Sequence, residues 1–267
     1  MFVATNDFRN GDRMNIQVAT QAEVESAWPV VRAKLMSRRE VAEGTMAFQF
    51  EKPPGWTFEA GQFVDITLLM PTETDSEGDT RGFSIASAPF EGTLMIATRM
   101  RDTAFKRVLK TMPLGTEVKI EGPFGDLRLH NNAARAAVVV SGGIGITPFR
   151  SILMQAARDK RPHRIFFFNA NRRPEDAPFL EEMRYLAREN PSFTFVPTMT
   201  EMDKSHLPWE GERGRIDQQL LTTYLKGTTS AIYYVTGPPG MVKGLRMLLK
   251  VSSVDTDDIR TDEFTGY

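Results

Sequence analysis

The sequence predicts two domains in tandem: an antiparallel six-stranded β-barrel, then an α/β unit with an open parallel sheet. Three observations carry this. Near residue 130 the chain changes from short β-like runs broken by turn residues to regular alternation of apolar strands and amphipathic helices. A glycine-rich turn, Ser141-Gly142-Gly143-Ile144-Gly145, closes an apolar run and opens a helix, as a dinucleotide-binding sheet requires. A length of 267 residues is too great for one small domain and comfortable for two.

Taken in order, residues 1–31 show weak periodicity, with AEVESAW a helical turn ahead of Pro29, and read as an N-terminal extension with no assigned function. Residues 32–130 form the barrel. Its runs TMAFQFE, QFVDITLLM, GFSIAS, TLMIATRM and EVKIEG are separated by PPGW, by the polar stretch from Thr72 to Thr80, and by other turn residues. Within it, Thr103 to Met112 places Phe105, Val108 and Leu109 at helical spacing, with Asp102 and Thr103 as candidate caps, so one helix covers the barrel. The polar segment DLRLHNNAAR marks the boundary.

Residues 131–267 form the second domain, with strands AAVVV, RIFFFNA, FTFVPTM and AIYYVTG alternating with helices TPFRSILMQAARD, APFLEEMRYLARE, QQLLTTYLK and GMVKGLRMLLK. Near-continuous apolar strands imply a sheet covered on both faces.

Composition excludes several classes. A net charge of -1 gives no field to attract nucleic acid or an anionic membrane. The absence of cysteine rules out disulfides, thiolate catalysis, Cys-ligated zinc and all-cysteine iron–sulfur clusters within these residues. No apolar run approaches the ~20 residues that span a bilayer, and MFVATNDFRNGDRM lacks the apolar core of a secretory leader, so a cytoplasmic location is expected. There is no G-x-S-x-G, and His130, His163 and His206 are scattered without ligand spacing, which disfavours hydrolases and metal sites.

The glycine turn is the strongest single motif. Gly142, Gly143 and Gly145 let backbone approach a pyrophosphate, while Thr147 as N-cap and Pro148 at the first helical position present free amides and a dipole to the anion. No Gly-Lys-Ser/Thr follows, which excludes a P-loop. After the second strand come Asn171, Arg172 and Arg173, and arginines there favour NADPH over NADH.

Two further motifs make the chain resemble the ferredoxin–NADP(+) reductase superfamily over about residues 32 to 267. Arg81-Gly82-Phe83-Ser84 resembles that family's Arg-x-Tyr/Phe-Ser flavin motif, and Thr236-Gly237-Pro238-Pro239-Gly240-Met241 resembles its Cys-Gly-Pro-Pro-x-Met element, with threonine in place of cysteine. The resemblance implies a flavin domain holding FAD and a second domain holding NADPH or NADH. It implies that Arg81 pairs with the FAD pyrophosphate, Phe83 flanks the flavin and Ser84 lies near flavin N5. It places Arg99, Met100, Arg101 and Thr103 beside the pyrophosphate, and Thr236, Gly237, Pro238 and Met241 beside the nicotinamide. The C-terminal Phe264 and Tyr267 fit its terminal aromatic element, with Tyr267 a movable cover over the flavin.

The activity so implied is hydride transfer from NAD(P)H, with Ser84, Thr236 and Tyr267 as catalytic candidates. Electrons then pass to a separate acidic carrier such as ferredoxin or flavodoxin, and Lys106, Arg107 and Lys110 read as a solvated basic face or a docking patch for it. The chain is expected to be a monomer. A diaphorase or flavin reductase serving free acceptors, and a nucleotide-binding module without redox work, remain as alternatives.

Overall fold

The computed structural model describes residues 28–264. Most of the expected extension, residues 1–27, and Tyr267 lie outside the described residues. The first sheet has the order β4-β3-β6-β1-β2-β5. Its strands are β1 (Val30–Ala42), β2 (Thr45–Glu51), β3 (Phe63–Leu68), β4 (Thr80–Ser84), β5 (Thr93–Arg99) and β6 (Glu117–Phe124), all paired antiparallel. The chain past β4 reaches β5, where Ala86 N–H donates to the Met95 carbonyl at 2.7 Å, so the sheet curls into a barrel. β1 begins inside the expected extension, because Val30 and Val31 pair with Glu121 and Ile120.

Alternation decides which residues fill the barrel. Leu35, Phe48, Phe50, Val64, Ile66, Leu94, Ile96 and Ile120 point inward, and α1 (Ala104–Thr111) adds Phe105, Val108 and Leu109. Thr103 caps this helix by accepting from Lys106 N–H at 3.4 Å, so Asp102 is not the cap. β5 is buried on both faces: Leu94 and Ile96 face the barrel, while Met95 and Ala97 join Val139, Ile146, Phe149 and Ile152 of the second domain. This explains why the run TLMIA has no polar alternation.

The second sheet has the order β10-β9-β8-β7-β11-β12, all parallel. Its strands are β7 (Ala136–Gly142), β8 (Ile165–Asn171), β9 (Phe193–Met199), β10 (Glu212–Arg213), β11 (Ala231–Gly237) and β12 (Ile259–Glu263), with α2 (Thr147–Arg158), α3 (Leu180–Glu189), α4 (Gln218–Tyr224) and α5 (Pro239–Val251) between them. β10 and β12 are additions to the four expected strands. Both lie at sheet edges, where a two-residue bridge and the polar run IRTDE carry no apolar signal. The strand order reverses between β7 and β11, and the crevice at the carboxyl ends of these strands is where such sheets bind ligands.

A buried cation helps to join the domains. Arg150 on α2, only 4% exposed, donates to the Ala86 carbonyl at 2.7 Å and makes ion pairs with Glu91 at 2.8 Å and Glu182 at 2.6 Å. Beside it Ser151 donates to the Ser87 carbonyl at 2.7 Å. A Cβ on Gly61, whose φ is +100°, would lie 1.9 Å from the Leu127 carbonyl oxygen, so only glycine lets the barrel meet this linker.

Candidate functional site

At the carboxyl end of β7, Gly143 takes a φ of +49° and a 3-10 turn, Gly143–Ile146, runs directly into α2. Thr147 therefore does not cap the helix as expected. It is already helical, and its hydroxyl donates to the Ile144 carbonyl at 3.1 Å. The neighbouring turn at the end of β11 packs against this one. A Cβ on Gly142 would lie 2.7 Å from the Met241 sulfur, and one on Gly145 would lie 3.0 Å from Gly237 Cα. These two glycines allow turn to meet turn, a structural demand the motif alone did not reveal.

Thr236 braces the same contact. Fully buried, it donates its hydroxyl to the Gly145 carbonyl at 2.6 Å, so it holds the two turns together. Thr147, Pro148 and Gly145 are likewise buried and build the turn from behind.

In front of the turns lies a cleft of about 770 Å³. Gly142, Gly143, Asn171, Arg172, Pro238 and Met241 line it from the sheet, and Arg99 and Arg101 from the barrel. Sequence reading missed Thr200, Arg215, Ile216 and Gly244, which also line it. Thr200 follows β9, and the rule that ligands sit at strand carboxyl ends was the available signal.

A relay of amides reaches this cleft. Asn169 donates to Ser141 Oγ at 2.6 Å, Asn171 donates to Asn169 Oδ1 at 2.6 Å, and Asn171 Oδ1 is left buried with no partner among the described residues. An unmatched buried acceptor costs ~1–3 kcal/mol, which a ligand hydroxyl would recover. Arg172 is exposed and lies 3.7 Å from Glu201. Arg173 is committed to Asp176 and Glu43, both at 2.9 Å, and is thus an interdomain brace rather than part of the cleft.

The barrel end of the site is cationic. Arg81 and Phe83 lie on one side of β4, and both meet Phe105 of α1: the Arg81 guanidinium is 5.4 Å from its centre and the Phe83 ring 5.8 Å. Gly82 faces Asp65 on the other side. Ser84 is buried at the end of β4 opposite Phe63, and Met100 packs against the barrel core.

Lys106 donates to the Arg99 carbonyl at 2.7 Å. Burial, then the charges of Arg101 and Arg81, lower its pKa to about 8. A cationic cluster of this kind favours an anion. It also corrects the expected docking patch, since Lys106 is partly buried and Arg107 is paired with Glu73 and Asp102. After β12, Phe264 N–H donates to the Gly237 carbonyl at 3.1 Å, which ties the chain's end to the second turn.

Residues 139–247 match the family described as Oxidoreductase NAD-binding domain. The glycine betaine monooxygenase reductase subunit of Chromohalobacter salexigens is 26% identical over 82% of this chain and 60% of its own length. The reductase component of the propane 2-monooxygenase of Mycolicibacterium smegmatis is 26% identical over 80% of this chain and 61% of its own. The chain thus spans about three fifths of the length of these relatives. A crystal structure of a ferredoxin NADP+ reductase from Neisseria gonorrhoeae with bound FAD and NADP covers 89% of this chain and 99% of its own, with a TM-score of 0.73 and 21% identity. The chain has the two-domain fold of that reductase. Within this fold the cleft is bounded by both domains, with Arg99 and Arg101 lining it from the barrel.

Proposed function

We propose that this chain is an FAD-dependent oxidoreductase that takes hydride from NAD(P)H and passes electrons to a separate protein acceptor. The observation that carries the reading is the continuity of two sites: a cationic barrel end built by Arg81, Arg101 and Lys106, and a nucleotide cleft into which Arg101 also projects. Residues 32–130 would hold the flavin and residues 131–267 the pyridine nucleotide.

The residues fit both groups. Arg81, Lys106 and the start of α1 suit the FAD pyrophosphate, with Thr103 fixing where that helix begins. Phe83 and Ser84 suit the flavin ring. Gly142 and Gly143 suit the nucleotide's phosphates, and the open Asn171 Oδ1 suits a ribose hydroxyl. Pro238 and Met241 close the cleft beside the glycine turn. Bound FAD supplies the conversion of a two-electron donor into a source of single electrons, which no side chain here can perform. The protein's share is to bind, to orient and to exclude water.

Both nucleotides are admitted. Of the arginines expected to favour NADPH, Arg173 is committed elsewhere, and the preference rests on Arg172, which Glu201 partly neutralises, with Arg215 nearby. The acceptor is assigned as a ferredoxin, a flavodoxin or an oxygenase component, since relatives are named as reductase subunits or components of monooxygenases and dioxygenases.

Protein supplied with FAD should bind it and lose the yellow absorption when NADH or NADPH is added without oxygen. Protein that takes up no FAD, or holds FAD that neither nucleotide bleaches, refutes the assignment.

A further inference from the structure

The loop between β3 and β4 carries four carboxylates, Glu73, Asp75, Glu77 and Asp79, and it is drawn onto the start of α1. Glu73 pairs with Arg107 at 2.6 Å and Glu77 with Arg81 at 2.9 Å. Asp75 lies at the centre. Its Oδ2 accepts from Ala104 N–H, at the first residue of α1, at 3.0 Å; its Oδ1 accepts from Arg81 at 3.2 Å and from Glu77 N–H at 3.0 Å. The other end of the Arg81 guanidinium donates to the carbonyls of Glu77, Gly78 and Thr80 at 2.8 to 2.9 Å.

An anion that accepts from a helix-start amide and a guanidinium together makes the contacts that a phosphate oxygen makes. Positive charge remains after these pairings. Lys106 and Arg101 form no ion pair among the described residues, and Lys106 is partly buried among arginines. The place is therefore an anion site in which a side-chain carboxylate already sits.

We propose that Asp75 occupies the position of a flavin phosphate, so that it selects among flavins by their phosphate and admits FAD only by exchange. The inference rests on the assignment of Arg81 and the start of α1 to the FAD pyrophosphate. Before FAD binds there, the loop must give up its contacts with Arg81 and Ala104. The loop thereby loosens the hold on FAD and lets it come and go. A flavin without phosphate has nothing to contest with Asp75.

The test is a titration of flavin-free protein with FAD, FMN and riboflavin, read by flavin fluorescence, for the wild type, Asp75→Asn and Asp75→Ala. Asp75→Asn keeps an oxygen for the Ala104 amide and removes only the charge, so it guards against misfolding. Both variants should bind FAD about tenfold more tightly and FMN more tightly by a smaller factor, with riboflavin unchanged. Riboflavin gaining as much as FAD means that the loop blocks by bulk, and weaker FAD binding means that Asp75 supports the bound flavin; either result overturns the proposal. Uptake of no flavin by all three proteins overturns the flavin assignment itself and the proposal with it.

Discussion

The two anion-facing ends of the molecule hold their polar groups in opposite ways. At the barrel end, Arg81 is enclosed by three carbonyls and two carboxylates of its own chain, so a ligand must displace contacts to enter. At the sheet end, Asn171 Oδ1 is buried and unmatched and Arg172 is largely exposed, so a ligand adds contacts without removing strong ones. The difference teaches that residue type alone does not rank binding residues. An arginine in a recognised motif can be fully paired, while an asparagine at the end of an amide relay keeps an unmatched acceptor.

The largest expected effect falls on the joint that keeps these ends in register. Arg150→Met leaves Glu91 and Glu182 facing each other across the interface without their cation, and should cost ~3 kcal/mol of stability. Urea denaturation measures it; a midpoint unchanged from the wild type would show that the domains do not depend on this clamp. A smaller and more selective effect is expected at the open end. Asn171→Ala should weaken NADH and NADPH binding by about tenfold, corresponding to one lost hydrogen bond to a buried group, while leaving FAD uptake as it was. Parallel loss of FAD would mean that the two ends do not act separately.

The smallest effect concerns pH. Burial holds the His163 imidazole below its ordinary value, with the charge of His130 adding to this, and burial likewise lowers His130. The unfolded chain takes up protons near pH ~6.5 where the folded chain does not, so stability should fall as pH drops through that value and be complete above it. Denaturation midpoints between pH 5 and pH 8 read the slope. His163→Phe should flatten it, and an equal slope in the variant would remove His163 from the account.

Much of the fold was legible because its signals are periodic. Apolar alternation in β3 and β6, near-continuous apolar runs in β7 and β8, and helical spacing in α1 all follow from which faces are buried. β10 and β12 escaped because edge strands need no apolar face. The site was legible as a set of motifs and not as a set of contacts. Gly143 and Asn171 line the cleft, whereas Thr147, Thr236 and Arg173 make their contacts within the frame. Each of those three satisfies a neighbour distant in sequence or a preceding turn, and pairing of that kind leaves no trace in local spacing. Tyr267 lies outside the described residues.

Strand β5 has one further implication. Its alternate residues belong to different cores, Leu94 and Ile96 to the barrel and Met95 and Ala97 to the neighbouring sheet. A fragment ending at residue 130 would bare Met95 and Ala97 to water, and one beginning at residue 131 would lose the wall against which Ile146 and Phe149 rest. Neither half is therefore a natural cassette, and any transplant of the nucleotide-binding unit to another scaffold must carry a substitute for this single strand.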